Sequence, residues 1–439
     1  MDSLTRSQIS KLSKVIARIK TSLIKYFFFG NSITDDGYLR LAYLLGRFLV
    51  FLPLSLCATL VLGVYSLFRP VKIFMLRCER SKISFIVEDL EVALRIEAHN
   101  TKISGAKPAL LFAVLDCDSP NRAFTAMYAR VVPFLDDDQS FVRGIIRYTL
   151  PYLGITRSYL PNKQQDRYTI SATQNPVTSF TKSETEIGTN LENQILEIAK
   201  KEFVCIGLPD KSYYEMKSLK EQPVRDVELL YAGFPLWQNY IPCTQILANA
   251  GYEVLRMGQR VERQITELQN TEIIDYAGKF RSEFGDIWLL ANCKFVISGG
   301  GTGLYWISTA FNVPVLITDK YEIVNTTYNP EDMFVPMLAW SRSEKRLMPF
   351  SWMIAQGEGW GHQRFLIEGD IEIIKNTAEE ITEVVLEMDD RLNGTWIETE
   401  EDIELQTRFK KLRGAIPRHR FHDSTKIGAA FLRHYQHLL

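Results

Sequence analysis

Between Phe203 and Thr318 short apolar runs alternate with helix-length stretches, and this alternation constrains the fold more than any other feature of the chain. Phe203-Val-Cys-Ile-Gly207 reads as a buried strand, Ile241–Ala250 as a helix stopped by Gly251, and Tyr252-Glu-Val-Leu-Arg256 as the next strand, ending at Met257-Gly258. Phe284–Ala291 then reads as a helix, Lys294-Phe-Val-Ile-Ser298 as a strand and Gly299–Gly303 as a tight loop. Leu304–Phe311 follows as a helix and Pro314-Val-Leu-Ile-Thr318 as a strand. Two successive βαβ units imply a parallel sheet covered on both faces, with ligands outside the carboxyl ends of its strands.

The same α/β texture begins earlier, with Ala109–Leu115 and then Asn121–Phe134, whereas residues 160–190 are polar and read as a loop or linker. The expected domains are therefore a membrane-associated region over 1–70, an α/β domain over 71–190 ending in the polar linker, and a second α/β domain over 191–439. A chain of 439 residues suits two or three folding units, and 46% hydrophobic against 23% charged residues excludes wholesale disorder. The formal charge is −1, so no global field gathers nucleic acid, and any phosphate site must be local. Six cysteines without a CxxC pair argue against a disulfide framework and indicate a reducing compartment.

Residues 48–68 carry no charge, which is membrane length, with basic residues on both flanks (Arg40 and Arg47; Arg69, Lys72, Arg77 and Arg80). Pro53 removes a helix hydrogen bond early in this run. The segment is either a bitopic span or a broken, in-plane or re-entrant one that returns both flanks to the cytoplasmic headgroups. Upstream, over residues 7–28, Ile9, Leu12, Ile16, Ile19, Leu23 and Phe27 recur at helical spacing among Lys11, Lys14, Arg18, Lys20 and Lys25. This reads as a basic interfacial helix or as an amphipathic helix packed on the protein itself.

The chemistry centres on Ser298-Gly-Gly-Gly-Thr-Gly303, which joins a strand end to a helix start. Glycines let backbone approach a phosphate closely, and Ser298 and Thr302 add hydroxyls; Thr302 can equally cap the helix, and the loop can equally be a tight turn without a ligand. Arg256 and Asp210 stand at or just after the ends of two other strands, so all can meet on one rim. Arg256 is either the cation for a phosphate or the partner of Asp275 or Asp286. Asp210 either takes a sugar hydroxyl or caps the following turn. Asp319 ends the next strand, where an acidic ribose-binding residue would stand, but Gly299–Leu304 does not satisfy GxGxxG, and a nicotinamide-dependent oxidoreductase is the weakest reading. Asp116-Cys-Asp118 has metal-binding DxD spacing, yet Ser119-Pro-Asn-Arg122 after it looks more like a strand-to-helix turn, and no metal is expected. Trp340, Trp352 and Trp360 around Gly357, Gly359 and Gly361 read as surface packing more than as a mobile lid.

Phe203–Tyr214, Asn239–Gly258, Ile273-Ile-Asp-Tyr276 and Asp286–Thr318 together resemble a bacterial family of GT-B glycosyltransferases of surface polysaccharide synthesis. The similarity extends to Trp340-Ser341 and Ile427–Leu439. It implies two Rossmann-like domains facing a cleft, the carboxyl-terminal one resembling the donor-binding half of fucosyltransferase-like enzymes, which need no bound metal or other cofactor. It further implies that Arg256, Ser298 and Thr302, with Gly299, Gly300, Gly301, Gly303 and Asp275, face a nucleotide diphosphate. Asp210 and Asp118 are catalytic candidates by residue type alone. The chain departs from the family at Leu208-Pro209-Asp210 and at Tyr231-Ala-Gly-Phe234, where arginines are expected, and Lys211 can replace one in part. The expected activity is transfer of a sugar from a nucleotide sugar to a lipid-linked or polysaccharide acceptor at the cytoplasmic face of the inner membrane. The alternative is a catalytically inactive nucleotide-sugar-binding scaffold or sensor.

Overall fold

A computed structural model of the chain describes residues 49, 52–54, 56–58, 60, 61, 64, 68, 71–76, 83, 84, 86–105, 107–115, 119, 121–134, 170–196, 201–210, 234–259, 261, 272–320, 323, 329–356, 369–414 and 424–439. The strands are β1 (Val71–Leu76), β2 (Leu110–Leu115), β3 (Phe203–Gly207), β4 (Glu253–Met257), β5 (Ile273–Ile274), β6 (Val296–Gly299), β7 (Val315–Lys320), β8 (Met333–Pro336), β9 (Leu338–Ser341), β10 (Arg346–Leu347), β11 (Ile371–Ile374) and β12 (Lys426–Ile427). The helices are α1 (Val92–Ser104), α2 (Arg122–Ala129), α3 (Lys182–Ile195), α4 (Trp237–Asn249), α5 (Tyr276–Lys279), α6 (Glu283–Asn292), α7 (Tyr305–Ala310), α8 (Phe350–Ala355), α9 (Ala378–Asn393), α10 (Glu400–Gly414) and α11 (Ala429–His434).

Two compact units share the chain. One comprises Met1–Ser81, Asn100–Ser119 and Tyr128–Asn162, and the other Lys82–His99, Pro120–Met127 and Lys163–Leu439. In the first, β1 and β2 pair in parallel from Val71↔Leu110 to Leu76↔Leu115, and a parallel bridge joins Ala113 to Phe134. The amphipathic stretch 7–28 lies outside the described residues. Within 48–68, Leu49, Leu60, Val61 and Val64 are helical and exposed, each by 60% or more. No helix among the described residues is long and apolar enough to cross a membrane.

The second unit is built on a seven-stranded sheet in the order β12-β8-β7-β6-β3-β4-β5, and every pair in it is parallel. The chain runs outward from β3 through β4 to β5, returns to lay β6 against the other side of β3, and then proceeds through β7 and β8. Val204, Cys205, Ile206, Leu255, Ile297, Leu316 and Ile317 are all buried, as strands covered on both faces require. The expected strands and helices of this region are present with their ends shifted by a few residues at most. Antiparallel β10-β9-β11 forms a separate small sheet. On α9, Thr377 and Glu380 close a reciprocal capping box, which fixes where the helix starts.

One expectation fails in part. The polar stretch read as a loop holds the start of α3, because Thr181 and Glu184 form a second capping box. Its anchor is Gly188, which lies so close to the Trp288 indole that any Cβ there would overlap the ring. Trp288 Nε1 donates to Glu192 Oε1 at 2.7 Å, and Phe180 packs on both Trp288 and Phe311, with ring centroids 4.8 and 5.2 Å away. A glycine contact and two aromatic neighbours dock a helix that has few aliphatic residues of its own.

Candidate functional site

The point where strand order reverses lies between β3 and β6. Adjacent connections leave in opposite directions there, which opens a crevice beyond the carboxyl ends. Gly207, the last residue of β3, is in register with Ser298. A side chain on Gly207 would come within 3.3 Å of Thr302 Oγ1, so this glycine leaves room at the mouth of the crevice. Asp210, Arg256, Asp275 and the Ser298–Gly303 turn all belong to strand ends or the segments directly after them, on this same edge.

Within the turn the six residues have different roles. Ser298 is fully buried, and its Oγ accepts from Thr302 N at 2.9 Å and lies 3.1 Å from Thr302 Oγ1. When Ser298 donates to Thr302, the half-buried threonine hydroxyl keeps its own proton for a ligand. Gly299 is required by packing, since a Cβ there would collide with Leu208 and would stand 2.6 Å from the Tyr240 hydroxyl oxygen. Gly300 and Gly301 are required by conformation, with φ of +63° and +70°, and the Gly300 N–H is tied to Thr318 O at 2.8 Å. Among the described residues an added Cβ on Gly303 would meet only Ile83, at 3.8 Å. At the far end of α7, Arg95 donates to Ala310 O at 2.6 Å and to Asn312 Oδ1 at 2.7 Å while paired with Glu91, so the helix that follows the turn is fixed at both ends.

Arg256 is 1% exposed. Its two terminal nitrogens reach Asp275 Oδ1 at 3.2 Å and Asp210 Oδ2 at 3.4 Å, and its guanidinium carbon lies 5.8 Å from the centroid of the Trp237 ring. Asp275 also caps α5 by accepting from Gly278 N at 3.0 Å. Of the two salt-bridge partners weighed from the sequence, Asp275 is the one found. Asp286 instead accepts from Arg281 at 2.9 Å and from the Tyr276 hydroxyl at 3.1 Å, and burial pushes its carboxyl up to about 7. The charge of Arg256 is thus matched by two carboxylates before any ligand arrives. Lys211, Asp116 and Asp118 lie outside the described residues, as does Trp360; Trp340 is on β9 and Trp352 on α8.

The ribose-binding reading of Asp319 does not survive the geometry. Asp319 is 1% exposed, and its two oxygens accept from the Tyr240 hydroxyl at 2.7 Å and from Asn376 N at 2.8 Å. Its own N–H donates to Asn376 Oδ1 at 2.6 Å, holding a left-handed backbone with φ of +50°. Buried and with each oxygen already accepting a hydrogen bond, Asp319 serves the fold here rather than a ribose. Burial and the adjacent carboxylate push the Tyr240 phenol far above its ordinary range, so it remains the donor to Asp319 and accepts from the Thr318 hydroxyl at 2.7 Å. This network braces the glycine turn from beneath, through Thr318.

Tyr240, Asn376, Trp237 and Lys320 are neighbours of the site that sequence reasoning missed. Asn376 stood next to a recognisable signal, the Thr377-x-x-Glu380 capping box; the others carry no local pattern that separates them from core or surface residues.

The sequence matches no protein-family model and no curated protein. Three solved structures superpose weakly. A glycosyl transferase family 9 protein from Veillonella parvula DSM 2008 is 9% identical with a TM-score of 0.38, over 74% of this chain and 97% of that one. The E. coli ADP-heptose LPS heptosyltransferase II is 13% identical with a TM-score of 0.31, over 57% and 84%. The dodecameric iron-containing heptosyltransferase TibC, in complex with ADP-D-β-D-heptose, is 12% identical with a TM-score of 0.33, over 74% and 76%. Likeness at this level does not bear on which reaction this chain carries out.

Proposed function

We propose that the chain is a membrane-associated glycosyltransferase that moves a sugar from a nucleotide sugar to a lipid-linked or polysaccharide acceptor. The observation that carries this reading is the meeting of the Gly300-Gly301 turn, the Thr302 hydroxyl, Asp210 and the Arg256 cluster at the switch point of a doubly wound parallel sheet. Such a crevice suits a nucleoside diphosphate, with glycine backbone that allows close approach and a hydroxyl toward the phosphates. In the reaction an acceptor hydroxyl attacks the anomeric carbon, the bond from that carbon to the diphosphate oxygen breaks, and the electron pair leaves with the diphosphate. The hydroxyl proton passes to a carboxylate, for which Asp210 is the candidate among the described residues. Donors aimed at the leaving diphosphate would lower the barrier electrostatically, at about 2.7–4 kcal/mol for each donor in comparable sites.

The exposed apolar residues between Leu49 and Val64 support membrane association, and we place the chain at the cytoplasmic face of the inner membrane, where lipid-linked acceptors would be met. A second reading has its own support. Pro209 stands where the resembling family carries an arginine, and its Cγ would lie 3.3 Å from a Cβ on Gly300, so its ring fills space beside the turn. A site altered in this way is also that of a nucleotide-sugar-binding scaffold or sensor. Incubation of the full-length protein with radiolabelled nucleotide sugars and a lipid extract separates the two. Label in the lipid or polysaccharide fraction supports transfer, binding without transfer supports the scaffold, and absence of both refutes the site.

A further inference from the structure

Helix α7 carries the chain away from the Ser298–Gly303 turn, yet little of its own holds it. It has six residues, far fewer than an isolated helix needs, and no side chain caps its first turn. Its last carbonyls must find donors beyond the helix. The N–H groups of Phe311, Asn312 and Val313 serve Ser308 O and Thr309 O. Ala310 O is served by Arg95 Nη2 at 2.6 Å, from 215 positions away in the sequence.

We propose that Arg95 is a positioning residue for the glycine turn: by holding the carboxyl end of α7 it sets where Thr302 and the Gly300-Gly301 backbone stand toward a ligand. This inference rests on the nucleotide-sugar reading of the crevice and adds no ligand contact to it, since Arg95 acts only through α7. The link is direct. Tyr305, the first residue of α7, donates from its N–H to Thr302 O at 3.4 Å, so a shift of the helix is a shift of Thr302.

Arg95 is 2% exposed, and each arm of its guanidinium is engaged. Nε donates to Glu91 Oε1 at 2.6 Å, Nη1 to Asn312 Oδ1 at 2.7 Å and to Ser171 O at 3.2 Å, and Nη2 to Ala310 O. Asn312 stands just past the helix with φ of +59°, a left-handed place that asparagine tolerates, and its Nδ2 donates to Gln174 O at 3.1 Å. Glu91 also accepts from Val177 N at 3.1 Å. A lysine has no planar fork with which to meet these acceptors together. The same stretch of chain supports the other end of α7. Arg95 belongs to Lys82–His99, which lies between β1 and β2 in sequence but is part of the second unit. Ile83 of this stretch would stand 3.8 Å from a Cβ on Gly303, and a π-helical turn, Ile86–Glu91, packs against α7. Such turns are rare and recur at functional sites.

The test uses the full-length protein in detergent and reads dissociation constants by calorimetry for UDP, GDP, ADP, CDP and dTDP, each beside its parent nucleoside. Glu387→Gln, which breaks a buried ion pair with Arg391 on α9, is the control for lost stability alone. All measurements are made at a low temperature at which circular dichroism shows each variant folded. For whichever diphosphate binds the wild type, Arg95→Met is expected to raise Kd at least about tenfold, the scale of one charge-assisted hydrogen bond. Arg95→Lys should raise it less, the nucleoside should change less than the diphosphate, and Glu387→Gln should leave both unchanged. In the unliganded protein, amides of residues 300–310 should exchange hydrogen faster in Arg95→Met than in Glu387→Gln. Asn312→Gly keeps the left-handed backbone but removes one acceptor of Arg95, and it carries the same comparison if Arg95→Met fails to fold. Unchanged diphosphate binding or unchanged exchange at 300–310 would overturn the role of Arg95 while leaving the nucleotide-sugar reading intact. Equal weakening in Glu387→Gln would overturn it too, because the effect would then be general loss of stability. No binding of any diphosphate to the wild type would overturn the reading of the site itself, and this inference with it.

Discussion

Replacing Arg256 by leucine tests whether this residue is primarily a structural cation. Its guanidinium is 2% exposed as a side chain and faces Asp210 and Asp275, which are 11% and 20% exposed. Removing one partner of a buried ion pair costs about 3–5 kcal/mol, because the remaining charge is left without its counterion. Both aspartates retain some contact with solvent and can rehydrate, so the low end, about 3 kcal/mol, applies here, and loss of the Trp237 contact adds about 0.5–1 kcal/mol. The expected loss is therefore about 3–4 kcal/mol, measured by urea unfolding followed by circular dichroism and tryptophan fluorescence. Asp275→Asn supplies the internal control, since asparagine still caps Gly278 N but carries no charge. In the Arg256→Leu background it should restore about 1 kcal/mol or more, and alone it should destabilise. A loss below about 1 kcal/mol for Arg256→Leu would refute the reasoning and return the full guanidinium charge to the ligand.

Two further outcomes follow from the geometry. Asp286 has its carboxyl raised to about 7 by burial, with Arg281 and Tyr276 as partners and Glu283 nearby, so between about pH 4 and pH 7 the native state holds a proton that the unfolded state has released. Stability should therefore fall as pH rises through that window, by up to about 4 kcal/mol from this group, and Asp286→Asn should flatten the decline in unfolding free energy measured from pH 4.5 to 8. A parallel decline in wild type and variant would exclude Asp286 as its source. Gly299→Ala should cost about 1–3 kcal/mol by overpacking against Leu208 and Tyr240, whereas Gly303→Ala, which among the described residues meets only Ile83 at 3.8 Å, should lie within about 0.5 kcal/mol of the wild type. Thermal or urea denaturation of the two variants side by side decides this.

The carboxyl-terminal sheet was legible because its strands are short, apolar and separated by helices of ordinary length, so periodicity alone locates them. β3 has the same bounds as its sequence reading, Phe203–Gly207. Helix α3 was not legible, since its docking depends on Gly188 meeting Trp288, a contact between residues a hundred positions apart. For the site, glycine at strand ends announced the turn, but sequence could not divide its causes. Packing requires Gly299 and backbone conformation requires Gly300 and Gly301, while Gly303 is tied by neither. For Asp319 the sequence offered a ribose partner only weakly, from its place at a strand end, and its bonds to Tyr240 and Asn376 reveal a brace.

These divisions bear on how the crevice could work. A turn with two consecutive left-handed residues keeps its shape only if its surroundings hold it. Here Thr318 O takes the Gly300 N–H, Tyr240 bridges Thr318 to Asp319, and Asn376 closes on Asp319 from a separate segment. The polar groups that brace the turn are buried, whereas the Thr302 hydroxyl, assigned to the ligand, is half-buried. Bracing and binding are therefore carried by different side chains. In such a site the binding residues can change between related chains without loss of the turn, provided that Tyr240, Thr318, Asp319 and Asn376 stay. The absence of an arginine at Pro209 is compatible with a retained turn on this view, since the brace constrains where a phosphate would lie but not which strand end supplies its counter-charge.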